Sequence, residues 1–462
     1  MHYLWWYVPT LTSPMLIALV ASIHVFVSHY AVGGGIFLAC ETAAAHRAKD
    51  NDYLRYLHSH TKFFVLLTIV FGAITGVGIW WTIGLASPLA TEFLIRTFVF
   101  AWGMEWVLFL VELVAAFLFF YRWGKVAPNI HCAFGWIYAL AAWGSLVLIT
   151  GITAFMLQPG AWVAQTEAGL GEPNLALAFF NPQFLPQTLA RTGASLVLAG
   201  VYVLLHASWT LRDEKRTTPL RARVVRHASL FSLVGTLLGL LGTFWAWSVL
   251  DPIQQETIHR AAALNIFLGV GVGAVALLGI CLVLAYRRPQ WNTPIAAFAM
   301  FALSLGALAS AEFVREAVRK PFVISNVILS NQIHLSQLDS LREKGLLQSG
   351  VWTNQYVRHH YPQLVSDNGT FRLKDAQGAE RIDLGRVVFM HHCNDCHAEG
   401  YGYSGMAPLA YLTTKEEWRA FLPKLNSMVW YMPPWSGNAD EVDLLADYLV
   451  EKRSNKDSWQ ER

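Results

Sequence analysis

The segment "HHCNDCH", from His391 to His397, contains two cysteines and a histidine in the spacing C-x-x-C-H. In proteins with this motif the two thiols form thioether bonds to a haem, and the adjacent histidine ligates its iron. A chance match, a redox disulfide or a zinc site would be the alternatives for a CxxC pair. The apolar segment "GRVVFM" precedes the motif, and a predicted helix, "ADEVDLLADYLVEKR", follows it. The sequence therefore predicts one covalent haem c, attached to Cys393 and Cys396 and ligated by His397.

This haem needs a second axial ligand if it transfers electrons in a low-spin state, and methionine in that position raises its potential. Met432 lies in the segment "YMPPW", which resembles the methionine loop of class I cytochromes c. We therefore predict that Met432 is this ligand. Met406, Met428, His391 and His392 remain alternatives.

Ionisable residues also lie within long apolar segments of the chain. Charged groups at membrane depth are costly and normally face a bundle interior or a cavity, so each is a candidate functional residue. His24 lies in the first apolar segment, and Glu105 and Glu112, seven positions apart, share one face of a predicted helix. Single histidines in other segments are interpreted as helix-end or packing residues; these are His29, His131, His206 and His227.

The segment "AEFVREAVRKPF" places five charges at the end of another apolar segment. Glu312 and Glu316 are four positions apart, as are Arg315 and Arg319, so the members of each pair are neighbours on a helix. Arg319 and Lys320 would also suit simple anchoring at the membrane interface. Together with the three residues above, these groups need a polar occupant. A haem would satisfy them, because iron binds histidine or carboxylate and the haem propionates bind arginine, here Arg315 and Arg319.

The composition predicts that most of the chain is embedded in a membrane. Only 14% of the 462 residues are charged and 55% are hydrophobic, whereas soluble domains carry about 25% charged residues. The net charge of +3 gives no reason to expect a nucleic-acid partner. The first apolar segment is too long for a signal peptide and lacks a basic start, so we expect a retained helix. Eight segments are long enough to span a bilayer: about 14–44, 63–86, 96–121, 131–157, 187–209, 228–250, 262–286 and 293–316.

The loops predict an orientation, because short cytoplasmic loops collect Lys and Arg. Alternate loops are cationic, and the loop between the fifth and sixth segments carries Arg212, Lys215, Arg216, Arg221, Arg223 and Arg226. We therefore expect a multi-pass protein of the bacterial inner membrane. The residues after the eighth segment would lie on the periplasmic side.

The composition becomes polar after Phe322, with turn-forming segments such as "SDNGT" and "DAQGAE". We therefore predict an all-α protein, in which an eight-helix transmembrane bundle is followed by a small α-helical c-type cytochrome domain. The predicted boundaries are 1–324 for the membrane domain, 325–383 for an extramembrane linker and 384–462 for the cytochrome domain.

Residues 10–325 resemble subunit I of the cytochrome bd oxidases. Similar segments include "TKFFVLLTIVFGAITG" in the second helix and "WIYALAAWGSLVLITGITAFMLQP" in the fourth. Above all, "EFVREAVRKPF" resembles the family signature Glu-x-Gly-Arg-Gln-Pro-Trp, with Glu316, Arg319 and Pro321 retained.

This resemblance implies two haems in the membrane domain, of type b and/or type d. His24 would ligate one high-spin haem and Glu316 its neighbour. Glu105 and Glu112 would serve haem ligation or proton delivery. The resemblance also implies contact with membrane lipid and a second membrane subunit.

The sequence departs from the family in three places. The short segment "DPIQQETIHR" replaces the long quinol-binding loop between helices 6 and 7. The histidine and methionine that ligate the family's low-spin haem b align with Arg191 and Phe267, so that haem is missing or has other ligands. The c-type module replaces the ninth helix and offers a place where electrons can arrive from outside.

We therefore predict a cytochrome bd-like terminal oxidase that is linked to cytochrome c rather than to quinol. A soluble or subunit-bound cytochrome c would donate electrons to the covalent haem c, and the membrane haem pair would reduce O2 to water. Two alternatives remain. The same haem pair could reduce nitric oxide or a peroxide, or the chain could be a non-catalytic electron-transfer subunit between membrane quinol and periplasmic cytochromes.

Overall fold

The computed structural model describes residues 6–167, 174–212 and 218–454. Lys215 and Arg216, two of the cations that predict the orientation, lie outside the described residues, as do residues 455–462 of the predicted cytochrome domain. The chain forms two compact units. One, the bundle unit, contains Ala21–Val77 and Leu94–Val318; the other contains the residues up to Val20, Gly78–Phe93 and the residues from Arg319 onward. We call residues 319–454 the C-terminal module.

Eight helices among the described residues are long and apolar enough to cross a membrane, which confirms the predicted number. These helices are apolar around most of their surface, as expected of helices that face both lipid and one another. Short helices lie between them at Pro88–Thr97, Ala161–Glu167, Leu175–Phe179 and Pro252–Arg260. The eight are α1 (Ser13–Ala48), α2 (Asn51–Ala86, with a π-helical part at Leu66–Phe71), α3 (Val99–Tyr121), α4 (Pro128–Leu157), α5 (Phe184–Thr210), α6 (Pro219–Ser248), α7 (Ala262–Arg287) and α8 (Pro294–Val318).

Helix α2 begins about three turns earlier than the sequence prediction near residue 63. The carboxylate of Asp50 accepts a hydrogen bond from the backbone N–H of Tyr53 (3.0 Å), which caps the helix N-terminus. The first turns are amphipathic rather than apolar, with Tyr53, Tyr56 and His60 among the buried residues. A hydropathy criterion misses such a segment, although its 3.6-residue period is visible. The earlier start places His60 inside the bundle unit.

Glycines let three helices of the bundle unit approach closely. A Cβ atom at Gly33 of α1 would lie only 1.8 Å from the carbonyl oxygen of Ser195 in α5. A Cβ at Gly200 of α5 would lie 2.1 Å from the carbonyl oxygen of Ala228 in α6. Small residues at such crossings are typical of membrane helices, which associate through close packing rather than through the hydrophobic effect. The two contacts fix α5 between α1 and α6.

The C-terminal module is mostly helical and contains one small antiparallel hairpin, which the sequence analysis did not predict. The hairpin strands are β1 (Phe322–Ile324) and β2 (Ile328–Leu329). Shorter helices lie at Leu346–Ser349, Met406–Leu409 and Leu425–Met428. The longer helices are α9 (Leu338–Lys344), α10 (Val351–His360), α11 (Gly378–His392), α12 (Lys415–Phe421) and α13 (Ala439–Ser454).

Helices α11 and α13 form the centre of this module. A Cβ at Gly385 of α11 would lie 2.2 Å from the carbonyl oxygen of Leu444 in α13, so only glycine permits this crossing. Apolar residues that precede α11, such as Leu347 and Val357, are completely buried in the same core. The boundary at residue 383 stays a prediction, since core residues lie on both sides of it.

Candidate functional site

The C-x-x-C-H motif starts directly after α11 and forms a compact turn. The backbone N–H of Cys393 donates to the carbonyl of Phe389, and that of His397 donates to the carbonyl of Cys393, both at 2.8 Å. Cys393, Cys396 and His397 are half-buried. The end of α11 thus holds both thiols and the imidazole within one short turn.

The imidazole of His397 is oriented by the loop that follows it. Its Nδ1 atom lies 2.8 Å from the carbonyl oxygen of Ser404. Because a carbonyl can only accept, Nδ1 carries the proton and Nε2 keeps a lone pair. Burial lowers the pKa of His397, against the opposing effect of this hydrogen bond. A neutral imidazole with one nitrogen fixed by a backbone carbonyl is the usual state of a histidine that ligates a metal.

The candidates for the second axial ligand differ in their surroundings. Met432 is half-buried, and its loop is held by a hydrogen bond from Asn426 Nδ2 to the Met432 carbonyl (2.8 Å). Met406 is buried in the hydrophobic core, and Met428 is 61% exposed. The ring of His392 packs against Trp435, with centroids 4.5 Å apart. The ligand role of Met432 stays a prediction, and its partial burial outside the core is compatible with it.

A buried ion pair that sequence reasoning missed ties the motif loop to the two central helices. Glu399 accepts hydrogen bonds from Arg386 Nε (2.8 Å) and Nη2 (3.1 Å) and from the Tyr448 hydroxyl. Lys452 Nζ lies 3.9 Å from the same carboxylate. No sequence signal marks Glu399, because its partners come from separate helices. The network fixes the segment that directly follows His397.

His24 is oriented in a similar way within the bundle unit. Its Nδ1 atom lies 3.0 Å from Thr75 Oγ1. That hydroxyl donates its own proton to the carbonyl of Phe71 (2.9 Å), so it accepts from Nδ1 and leaves a lone pair on Nε2. A Cβ atom at Gly76 would lie 3.2 Å from the His24 ring, which means that the ring packs directly on the α2 backbone.

The two carboxylates of α3 are both partly buried, although nearly all of this helix is apolar. Glu105 accepts a hydrogen bond from the hydroxyl of Ser145 in α4 (3.1 Å). Glu112 lies seven positions further along the same helix. Glu105 thus contacts α4 directly, and the two predicted residues share one face of α3.

Glu312 belongs to a charged cluster with Arg315 and Arg191. Its carboxylate accepts a hydrogen bond from Arg315 Nε (2.8 Å) and lies 3.9 Å from Arg191 Nη2. Phe267 stacks on Phe313, with ring centroids 4.0 Å apart. Arg191 and Phe267, which the resemblance aligns with the family's haem ligands, thus form an ion pair and an aromatic pair, and the loss of that haem stays a prediction.

The remaining predicted residues lie at the end of α8. Glu316 is partly buried, and Arg319, directly after the helix, is buried. Arg315 is bonded to Glu312 and retains guanidinium donors for a further partner. The roles of Glu316 as iron ligand and of Arg315 and Arg319 as propionate partners stay predictions.

Comparison with known proteins places this arrangement in a family. The model for cytochrome bd terminal oxidase subunit I matches residues 13–252. The solved structure of the bd oxidase from Geobacillus thermodenitrificans matches with a TM-score of 0.59 at 17% sequence identity. The matched part comprises 67% of this chain and 87% of that chain, so the two share a fold. No match was found among curated proteins. Since the family match covers more than half of the 462 residues, the chain belongs to the cytochrome bd terminal oxidase subunit I family.

Proposed function

We propose that this protein is a terminal oxidase that receives electrons from cytochrome c and reduces O2 to water. Family membership supports a multi-pass bacterial membrane oxidoreductase with haem b or haem d. The haem c and the cytochrome donor are finer parts of the proposal. They depend most on one observation: His397 donates Nδ1–H to the Ser404 carbonyl and keeps a lone pair on Nε2, directly after two cysteines with the haem c spacing.

In the C-terminal module, Cys393 and Cys396 would attach haem c, and His397 and Met432 would be its axial ligands. A neutral imidazole and a thioether form a donor set that suits a low-spin iron. The Glu399 network would keep the loop after His397 in place while the iron changes charge. When bound, haem c would supply one-electron transfer, and the haems b or d would supply the site of O2 reduction.

In the bundle unit, His24 and Glu316 would ligate the two membrane haems, and Arg315 and Arg319 would bind propionates. The lone pair on His24 Nε2 fits the first of these roles. Glu105 and Glu112 would then hold and pass the protons that O2 reduction consumes, because their partly buried carboxylates share one face of α3.

Two features favour an external cytochrome over quinol as the electron donor. The connection between α6 and α7 contains only a short helix, Pro252–Arg260, where the family has a long quinol-binding loop. The resemblance aligns Arg191, which pairs with Glu312, with the histidine that ligates the family's low-spin haem b. Electrons would therefore reach the membrane haems from the C-terminal module on the periplasmic side. Membrane lipid and a second membrane subunit complete the expected partners.

The test is the haem content and O2 uptake of the purified full-length protein. We expect one haem c and two haems b and/or d by pyridine haemochrome analysis, together with O2 uptake driven by reduced cytochrome c. The double variant Cys393→Ser/Cys396→Ser should lose the covalent haem and this uptake while it keeps the membrane haems. Haem c alone in the wild type, or undiminished uptake in the double variant, would overturn the proposal.

Carbon monoxide separates the oxidase from the rival functions. Reduced protein with a five-coordinate haem should show a large Soret shift when CO is added. A protein without this shift would be an electron-transfer subunit. Uptake of nitric oxide without uptake of O2 would instead identify a nitric oxide reductase.

A further inference from the structure

A short segment in front of α1 contacts the loop that follows the C-x-x-C-H motif. We call residues 7–12 the N-terminal strap; they belong to the same compact unit as the C-terminal module. The carbonyl oxygen of Thr10 accepts a hydrogen bond from the backbone N–H of Tyr403 (2.6 Å). The ring of Tyr7 packs against the core of the module, and its hydroxyl donates to Glu399. The strap therefore holds the motif loop at two points.

The motif loop presents the Ser404 carbonyl from a tight turn. The N–H of Gly405 donates to the carbonyl of Gly402 (3.1 Å), which closes a four-residue turn with Tyr403 and Ser404 at its centre. The Ser404 carbonyl is the group that accepts from His397 Nδ1. Within such a turn the N–H of the second residue, here Tyr403, has no partner. The strap supplies one, in the form of the Thr10 carbonyl.

Both sides of this contact have a backbone conformation that is costly for their residue types. The φ angles of Thr10 and Ser404 are +73° and +50°. This left-handed region is unfavourable for residues other than glycine, and most of all for a β-branched residue such as threonine. The two segments also meet closely, because a Cβ atom at Gly402 would lie 2.7 Å from Thr10 Cα. Such conformations persist where surrounding contacts hold them, and they are common at functional sites.

The Ser404 carbonyl determines how strongly His397 would donate electrons to an iron. A hydrogen bond from Nδ1–H of a ligating histidine to a carbonyl makes Nε2 more basic. A more basic ligand stabilises ferric iron more than ferrous iron, because the ferric ion carries the larger positive charge, and it therefore lowers the reduction potential. If the turn moved away, this hydrogen bond would weaken and the potential would rise.

We propose that the N-terminal strap fixes the turn that carries Ser404 and thereby sets the reduction potential of haem c. Thr10 and Tyr403 are positioning residues, since they act on the iron through Ser404 and His397. The inference rests on the proposed function, and within it on the attachment of haem c to the C-terminal module.

The test removes the N–H of Tyr403 and leaves the turn otherwise intact. Tyr403→Pro does so, because proline lacks the N–H and is favoured at the second position of a four-residue turn. Tyr403→Ala is the matched control, since it loses the same side chain but keeps the N–H. Gly402→Ala disturbs the contact independently, through the Cβ atom that would meet Thr10. The midpoint potential of haem c is measured for each purified full-length variant by a redox titration that follows the haem c absorption band.

We expect Tyr403→Pro and Gly402→Ala to shift the redox equilibrium of haem c at least threefold toward the reduced form, while Tyr403→Ala matches the wild type. Threefold corresponds to about 28 mV, since a tenfold change is about 59 mV for a one-electron couple. Haem c should stay unreactive to CO in all three variants, because both axial ligands remain on the iron. A strap that only stabilised the module would leave the potential unchanged.

A potential that is unchanged or lower in both strap variants, or an equal shift in Tyr403→Ala, would overturn the role of the strap and leave the oxidase standing. Binding of CO to haem c in the strap variants would also overturn it, because the shift would then reflect a lost ligand. A wild-type protein without haem c would overturn that part of the proposed function, and the inference with it.

Discussion

Replacement of Arg386 by methionine should destabilise the C-terminal module by about 3 kcal/mol at neutral pH. Arg386 donates two hydrogen bonds, of 2.8 and 3.1 Å, to Glu399, whose side chain is only 8% exposed. Hydrogen bonds to charged groups contribute about 1.5–3 kcal/mol each, so the gross loss is about 3–6 kcal/mol. Tyr448 and Lys452 remain beside the carboxylate and offset part of it. We therefore expect a loss in the free energy of unfolding at the lower end of the range of about 3–5 kcal/mol that is typical when one partner of a buried ion pair is removed.

The cost of Arg386→Met should depend on pH. Burial raises the pKa of Glu399, but the hydrogen bonds from Arg386 and Tyr448 outweigh burial and lower it overall. The wild-type contribution of Glu399 is therefore present above the unfolded pKa of about 4.3 and is lost as the pH falls through the folded pKa. Without Arg386, burial is no longer compensated, so the variant gains stability when Glu399 is protonated. The cost of Arg386→Met should thus shrink below about pH 5.

Pulse proteolysis in urea, applied to the full-length protein in detergent, would measure the unfolding free energy of the module. Arg358 provides a control on the exposed face of α10. It also donates two hydrogen bonds, to Asn354 and to the Gly369 carbonyl, but because both are exposed to solvent its loss should cost about 1 kcal/mol or less. In a double-mutant cycle, Arg386→Met and Glu399→Gln together should cost less than the sum of the two. A cost of Arg386→Met below about 1 kcal/mol at pH 7, or one that grows toward acid, would refute the reasoning.

Three further predictions concern single residues. Burial raises the pKa of Glu441 to about 7, although three backbone N–H groups donate hydrogen bonds to its carboxylate. The free energy of unfolding of the module should therefore decrease as the pH rises from about 4.3 to 7, by up to about 1.4 kcal/mol per pH unit. Urea titrations of Glu441→Gln should show a weaker pH dependence. Thr75→Val removes the hydroxyl that accepts from His24 Nδ1 and should lower the amount of CO-reactive haem per protein. Thr75→Ser keeps this hydroxyl and should not. If both variants contained the same amount of CO-reactive haem, the assigned tautomer of His24 would be wrong. Met432→Ala should allow the haem c to bind CO, with little loss of stability. Met406→Ala should instead leave the haem spectrum unchanged and lower the free energy of unfolding by about 2–4 kcal/mol. The reverse pattern would show that Met406 is the axial ligand.

The membrane helices could be predicted from the sequence because each requires a long apolar segment, whatever its neighbours are. The predicted start of α2 is too late because the residues from Asn51 to Lys62 are amphipathic. A hydropathy average over these residues is low, although apolar residues recur with the period of a helix. The ring contact of His206 could not be predicted for a related reason. Its partner His60 lies far away in the sequence, and only the packing of α2 against α5 brings the two rings together.

The C-x-x-C-H motif was visible because the chemistry that it predicts is contained within five consecutive residues. The orientation of its histidine was not, since it depends on a backbone carbonyl seven positions later, and any residue at 404 would supply one. The same holds for Glu399, whose partners lie on α11 and α13, and for the contact of Glu312 with Arg191 on another helix. Local chemistry can be predicted from residue types, whereas buried ion pairs require knowledge of which helices touch.

The Glu399 network also has a consequence for biogenesis. Tyr448 and Lys452 lie on α13, about fifty residues after Glu399, so the network cannot close until that last helix has been synthesised. Cys393 and Cys396 are already half-buried in the closed module. If haem c is attached at these thiols, as proposed, they would be most accessible before α13 has packed. Closure of the network would then end the period in which the cofactor can be attached.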